Sequence, residues 1–412
     1  MRSVRDGRLT AREVVENYLE VAESKNPDLN AFTELDPEGA LRQADLVDAG
    51  SRSGSLAGVP IALKDLIDHA GHVTTAGSAF YRRQAAVSAP VVERLEAAGA
   101  IIMGRTGLDE FAYGGSSENP WFGVVRNPWD RNLSPGGSSG GSAVAVSAGM
   151  APAAIGTDTG GSVRVPAALC GIVGLKVTHG RIPLTGIFPL AGSMDTVGPL
   201  TTTCADARLV YRAMKGFDRS DPWSDPRDLQ GRRLSSVDRI RVAVPVAWLE
   251  WVPTSGEART SFETLCERLR EAGPRVEPLR NQALVPDPIR VSLSAAEAAA
   301  VHRQWIDDPD KPYGPEVRER VETAMRTTTE EYTRALRWRA GIVQAARRIF
   351  SEYDLILTPT VGHSRKTIGV DGIVVGGKRH WTGDVLGGYT SLVNVLGCAA
   401  ISLPLANDGT PP

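Results

Sequence analysis

The sequence is poor in cysteine and histidine. Its 412 residues include four cysteines, at positions 170, 204, 266 and 398, and none of them is closely paired with another. This pattern is typical of unpaired thiols in a reducing compartment, not of a disulfide framework. None of the six histidines forms a metal-binding pair of the H-x-x-x-H type. Zinc catalysis is therefore not expected.

The chain also lacks a strong net charge and long hydrophobic runs. Its 46 basic and 48 acidic residues give a net charge of −2, without the Lys/Arg clusters of a nucleic-acid-binding surface. No apolar stretch reaches the about 18 residues that a membrane-spanning helix needs. The charged N-terminus is not followed by the apolar segment of a signal peptide. We therefore predict a cytoplasmic protein that binds neither membranes nor nucleic acids.

Segments of helical and strand character alternate along the chain. Thr10 is a predicted N-cap for a helix that extends to Lys25, and a short apolar strand ends at Lys64. The spacing of apolar residues predicts further helices at 89–98, 258–272 and 330–351, and strands at 100–104, 240–245 and 355–358. This alternation indicates an α/β fold, in which a single mixed, mostly parallel-cored β-sheet carries helices on both faces.

The organisation of the chain indicates one domain over residues 1–412. A polar, proline-containing connector at 218–231 separates two halves that both contain strands and helices. We interpret this connector as the start of an excursion from one sheet and not as a domain boundary.

Two segments rich in glycine and serine contain the candidate nucleophiles. They read G-G-S-S-G-G-S at 136–142 and G-T-D-T-G-G-S at 156–162. A hydroxyl that attacks a carbonyl needs a base for its proton and hydrogen-bond donors for the developing oxyanion. Gly160 and Gly161 would let the backbone turn its N–H groups toward one point beside Ser162. A tight glycine turn with an incidental serine remains the alternative.

Lys64 is the candidate base. A neutral lysine can accept a proton if burial lowers its pKa from about 10.4 towards 7–8. The apolar strand that precedes Lys64 offers such a setting. The alternative is a surface lysine that pairs with Asp65.

A serine hydrolase of another kind is a rival interpretation of the same segment. Residues 137–141 satisfy the G-x-S-x-G nucleophile elbow, and four histidines follow them in the chain. That elbow requires a β-strand directly before it, whereas residues 127–135 have the composition of a loop. A phosphate-binding G-x-x-x-x-G-K-[ST] loop does not occur. Neither interpretation is favoured.

Residues 136–176 closely resemble the signature segment of the amidase signature family. The resemblance implies that family's fold and a Ser–cis-Ser–Lys triad, in which Ser162 is the nucleophile, Ser138 the bridging serine and Lys64 the base. It also implies a cis peptide between Gly137 and Ser138. The remaining implied site residues are backbone oxyanion donors at Thr159, Gly160, Gly161 and Ser162, supporting side chains at Ser139, Asp158 and Arg164, and a possible pocket at Tyr113, Gly114 and Gly115.

The activity implied by the resemblance is amide hydrolysis. A small-molecule carboxamide would acylate the enzyme and release ammonia or an amine, without a metal ion or cofactor. A homo-oligomer is possible. The family continues beyond residue 404 with a further glycine-rich strand and a helix, so we expect a truncated C-terminus with an unpaired sheet edge.

A second branch of the family is the alternative. Its members are the glutaminase subunits of tRNA-dependent amidotransferases, which hydrolyse glutamine and pass ammonia to a partner. We read that branch as having an acidic residue where this chain has Gly387, and an arginine where it has Gln304. The sequence therefore favours a free-standing amidase.

Overall fold

The computed structural model describes residues 4, 6–227 and 236–405. Ten strands in this part of the chain form two sheets: β1 (Phe32–Leu35), β2 (Pro60–Lys64), β3 (Ile101–Thr106), β4 (Ala153–Asp158), β5 (Val173–Lys176), β6 (Thr196–Thr201), β7 (Arg241–Pro245), β8 (Arg275–Leu279), β9 (Leu355–Ile356) and β10 (Ala400–Ser402). Three short hairpins pair Val73–Thr74 with Arg83–Gln84, Glu118–Asn119 with Gly123–Val124, and Ile373–Val375 with Lys378–His380.

The helices surround these sheets. They are α1 (Ala11–Leu29), α2 (Pro37–Asp48), α3 (Pro90–Ala97), α4 (Gly140–Ser147), α5 (Arg164–Cys170), α6 (Cys204–Met214), α7 (Val246–Trp251), α8 (Gly256–Glu271), α9 (Val291–His302), α10 (Pro315–Ala324), α11 (Thr329–Glu352), α12 (Thr382–Gly387) and α13 (Ser391–Leu396). Within the described ranges, no helix has both the length and the apolar character that crossing a membrane requires.

The first helix begins as predicted and ends later than predicted. The Thr10 hydroxyl accepts the Glu13 N–H at 3.0 Å, and the Glu13 carboxylate accepts the Thr10 N–H at 2.7 Å. This capping box satisfies backbone donors that a helix start leaves unpaired. Helix α1 ends only at Asn30, which adopts the left-handed conformation at φ 52° and donates to the carbonyl of Asn26.

The main sheet has the strand order β1-β3-β2-β4-β6-β5-β10. Strand β2 is parallel to both β3 and β4, whereas the outer strands pair in antiparallel fashion. Side chains on alternating strand positions enter two different cores, so that Ile61 and Leu63 pack on one face and Ala62 on the other. The predicted α/β class, with a mixed sheet, a parallel core and helices on both faces, is confirmed.

The second half of the chain contributes its own sheet. Strands β8, β7 and β9 form a smaller parallel sheet in that order. Val242 and Val244 of β7 pack with Phe262 and Cys266 of α8 in a separate core. The single sheet that we expected is therefore accompanied by a second one, because apolar spacing indicates that a strand exists but does not reveal its partner.

The chain returns to the main sheet in β10, which is an edge strand in the described part of the chain. Of the predicted connector, residues 218–227 follow α6, and residues 228–231 lie outside the described ranges. The predicted C-terminal truncation concerns residues beyond Leu405, which also lie outside them.

Candidate active site

Lys64 is the last residue of β2 and is fully buried. Every residue of this central strand is buried, because β3 and β4 flank it on both sides. The neighbouring Asp65 does not pair with Lys64 but with the Arg105 guanidinium, at 2.7 Å. Lys64 is thus not the surface lysine of the alternative interpretation.

Three hydroxyl groups surround the Lys64 amine. Its Nζ lies 2.7 Å from Ser138 Oγ, 3.0 Å from Ser139 Oγ and 3.0 Å from Thr157 Oγ1. The Ser139 hydroxyl donates to the Thr157 carbonyl at 3.1 Å, so it accepts from the amine. A neutral amine has two N–H groups and one lone pair. With its N–H groups directed at Ser139 and Thr157, the lone pair is left for the Ser138 hydroxyl.

The electrostatic setting favours this neutral form. Burial lowers the pKa of Lys64 to about 7, although the carboxylates of Asp109, Asp158 and Asp195 act in the opposite direction. A buried amine loses the hydration that stabilises its charged form. A large fraction of Lys64 is therefore unprotonated near neutral pH.

Ser138 lies in the loop that precedes α4. The Gly137–Ser138 peptide bond is cis, as the resemblance implies. Both Ser138 and Ser139 are fully buried. The Ser139 N–H donates to the Ser162 carbonyl at 3.2 Å, which joins this loop to the turn between β4 and α5. The structure thereby brings the two predicted serines into adjoining loops.

Ser162 is only partly buried, unlike Ser138. Within the described ranges, no residue forms a hydrogen bond with its hydroxyl. An accessible hydroxyl beside a buried lysine–serine pair is the arrangement that a nucleophile requires.

The Asp158 carboxylate holds the turn that contains Ser162. It accepts the backbone N–H of Gly161 at 2.9 Å and of Val163 at 3.2 Å. The Arg164 guanidinium donates to both of its oxygens, each at 2.9 Å. Burial alone would raise the pKa of Asp158, but Arg164 holds it well below its usual range. Asp158 and Arg164 therefore support the turn as a buried ion pair.

Two residues near the C-terminus complete this support. Asn394 donates to the Asp158 carbonyl at 3.0 Å and accepts from Arg164 at 2.7 Å. The Thr390 hydroxyl donates to the Gly160 carbonyl at 2.7 Å. No spacing in the sequence indicates these contacts, because about 230 residues separate the partners.

Thr159 is held from the other side of the turn. Its hydroxyl donates to Asp195 Oδ1 at 2.5 Å, and the second oxygen of Asp195 accepts the N–H groups of Leu190 and Ala191, each at 3.0 Å. Asp195 and Thr157 are site residues that sequence reasoning missed. Thr157 adjoins Asp158 in the second glycine-rich motif, so its place on a central strand beside β2 was the available signal.

The possible pocket residues lie in the loop after β3. Tyr113 is partly buried, and burial raises the pKa of its phenol. A Cβ on Gly114 would lie 2.4 Å from Asp109 Oδ1, and the Gly115 backbone packs within 2.8 Å of the position that a Cβ on Gly137 would occupy. These residues therefore adjoin the loop of Ser138.

Gly161 must be glycine for this turn to form. Its φ is 138°, and a Cβ would lie 2.2 Å from Thr390 Oγ1. We expect Gly161→Ala to lower the free energy of unfolding by about 1–3 kcal/mol, measured by denaturant titration. Gly160→Ala is the matched control, because a Cβ there meets nothing within 4 Å. Equal stabilities of the two variants would contradict the prediction.

Comparisons with known proteins agree with the fold. The chain matches the amidase family over residues 13–411. It is 34% identical to the GatA-type amidotransferase component for glutamyl-tRNA(Gln) of Nitrosococcus oceani, over 96% of this chain and 87% of that protein. It is 33% identical to AtzE, a component of the 1-carboxybiuret hydrolase of Pseudomonas sp. strain ADP, over 99% of this chain and 91% of that protein. A crystal structure of an amidase superposes with a TM-score of 0.89 at 31% identity, covering 100% of this chain and 92% of that chain.

The fold and these matches define a hydrolase of the class that acts on amides. The chain belongs to the amidase signature family, which confirms the resemblance seen in residues 136–176.

Proposed function

We propose that this protein hydrolyses the C–N bond of a carboxamide through an acyl-enzyme on Ser162. The observation that supports this most is the contact of 2.7 Å between the buried Lys64 amine and the Ser138 hydroxyl. A lysine whose pKa is lowered to about 7 can act as a base near neutral pH. The pair lies beside a loop whose partly exposed serine has a free hydroxyl.

In the first half-reaction the proton moves inward. As Ser162 Oγ attacks the amide carbon, its proton passes to Ser138 Oγ, and the Ser138 proton passes to Lys64 Nζ. The C–N bond then breaks, and the proton returns along the same path to the leaving nitrogen. Ammonia or an amine departs and leaves an ester on Ser162. Water attacks this ester with the same relay as its base, which releases the acid and restores the serine.

Backbone N–H groups stabilise the oxyanion in this scheme. The Gly161 N–H donates to Asp158 at 2.9 Å and is therefore engaged. The resemblance implies Gly161 as one of the oxyanion donors, and this bond removes it from that set. The proposed oxyanion hole consists of the N–H groups of Thr159, Gly160 and Ser162. Ser139, Asp158 and Arg164 support the relay and the turn.

A free-standing amidase is favoured over a glutaminase subunit. The position that we read as acidic in the glutaminase branch is Gly387 in this chain, and a Cβ there would meet nothing within 4 Å. Asp384, one turn earlier on α12, pairs with Arg290 at 3.6 Å. This pairing leaves Asp384 less suited to bind the amino group of glutamine.

The proposed substrate is a small-molecule amide, and the proposed location is the cytoplasm. The whole chain is proposed to act as one domain. Both relatives described above are named as subunits, so self-association or association with a partner is part of the proposal.

A substrate panel tests the assignment. Aryl and aliphatic carboxamides and glutamine are incubated with the protein, and released ammonia is measured. We expect ammonia from at least one carboxamide without an added partner. Ammonia from glutamine alone, and only in the presence of a partner subunit, would instead favour the glutaminase function.

A further inference from the structure

A buried carboxylate oxygen without a hydrogen-bond partner lies close to the proposed relay. Asp109 follows β3, and its side chain is almost fully buried. Its Oδ1 accepts the Ser117 N–H at 2.9 Å and the Ser116 N–H at 3.4 Å. In the described part of the chain, Oδ2 has no hydrogen-bond partner. Because an unpaired buried carboxylate oxygen is costly, its presence here requires an explanation.

The backbone is shaped closely around this carboxylate. A Cβ on Gly137 would lie 2.1 Å from Asp109 Oδ2, and one on Gly114 would lie 2.4 Å from Oδ1. Gly137 directly precedes Ser138, whose hydroxyl contacts the Lys64 amine. The unpaired oxygen therefore packs against the loop that carries the lysine–serine pair.

We propose that Asp109 is a positioning residue whose carboxylate stabilises the proton that Lys64 receives during the reaction. This inference rests on the proposed relay. When the proton of Ser162 reaches Lys64 through Ser138, an ammonium forms in a place without water. The Asp109 carboxylate attracts that ammonium across the buried loop and remains unprotonated throughout. When the proton returns to the leaving nitrogen, Lys64 is neutral again.

Other charges near Lys64 are already engaged. Asp158 is bound by Arg164, and both oxygens of Asp195 accept hydrogen bonds. Asp109 is thus the carboxylate in this group with an unoccupied oxygen. It is also the one with the largest opposing effect on the lowered pKa of Lys64.

The charges that face Asp109 come from two elements. Burial raises the pKa of Asp109 to about 6, and Glu316 on α10 raises it further, whereas Lys64 lowers it. Glu316 itself pairs with Arg320 at 2.7 Å near the surface. Asp109 is therefore mainly ionised at the pH at which Lys64 becomes a base.

The test is the pH dependence of Ser162 labelling by an alkyl fluorophosphonate. This probe needs the nucleophile and its base but no known substrate. In Asp109→Asn, loss of the negative charge lowers the pKa of Lys64. We expect the acidic limb of the labelling rate to move to lower pH by about one pH unit. The rate above that limb should fall about 100-fold, because the ammonium loses its counter-charge.

Asp68→Asn is the matched control. Asp68 is also a buried carboxylate, but it bonds Thr74 and Arg83 and is not among the charges that act on Lys64. Its acidic limb should stay at the wild-type pH. A fall in rate for Asp109→Asn without movement of the limb would show a merely structural role and overturn the inference.

Failure of the inference can be told apart from failure of the proposed function. If the probe does not label Ser162 in the wild type, the relay itself is wrong. If it does and Asp109→Asn leaves the limb in place, only the role of Asp109 is wrong. Melting curves establish that the variants fold, and Asp109→Ser replaces an unfolded Asp109→Asn with the same expected movement. Failure of both to fold would assign Asp109 to the fold alone and overturn the inference.

Discussion

Ser162→Ala is expected to lower the turnover of any carboxamide substrate by at least about 10⁴-fold. The variant removes the proposed attacking atom and leaves the surrounding support in place. The Asp158–Arg164 ion pair and the Thr390 contact hold the turn without using the Ser162 hydroxyl. Because this hydroxyl forms no hydrogen bond with any described residue, its loss should leave the melting temperature close to that of the wild type.

The measurement combines ammonia release with covalent labelling. An alkyl fluorophosphonate should modify the wild type on the peptide that contains Ser162 and should not modify the variant. Ser147→Ala is the control: it removes the hydrogen bond of 2.7 Å to the Cys170 carbonyl at the end of α4, outside the relay. It should be labelled at the wild-type rate. Substantial turnover by Ser162→Ala, or an adduct at another serine, would refute the assignment.

The sequence allowed the parts of the site that depend on local pattern to be predicted. An apolar run identified β2, and the last residue of a buried central strand is Lys64. Glycines at 160 and 161 indicated a turn with unusual backbone, and Gly161 has a positive φ. Ser138 and the cis peptide before it came from the family resemblance, because no local physical rule predicts a cis bond at a residue other than proline.

Long-range contacts could not be predicted in this way. Thr390 and Asn394 reach the site from the region of α13, and Asp109 reaches it from the loop after β3. Each is an ordinary polar residue in the sequence, and its role depends on which strands become neighbours. The same limit applies to the small sheet, since the spacing in β7, β8 and β9 shows a strand without its partner. The chemistry of such a site is thus concentrated in short motifs, whereas its electrostatic environment is assembled by the tertiary fold.

Lys64→Met is expected to abolish labelling of Ser162 and to change the pH dependence of stability. In the wild type the labelling rate should rise as pH increases through about 7, because Lys64 must be unprotonated to act as a base. Methionine has a similar length and apolar character but no lone pair on nitrogen. The variant should therefore show no such rise at any pH.

The sign of the stability effect follows from the lowered pKa of Lys64. Between pH 7 and about 10 the unfolded chain binds a proton at Lys64 that the folded chain does not, so wild-type stability gains about 1.4 kcal/mol per pH unit from this residue. Lys64→Met lacks this gain, and its stability relative to the wild type should be highest near pH 7 and decline by that slope. Lys176→Met is the matched control, because Lys176 is also buried, with its pKa lowered to about 7, but donates to backbone carbonyls. It should show the same slope and keep the labelling of Ser162. Loss of labelling in both variants would mean that burial of a lysine, and not its contact with Ser138, is what the site requires.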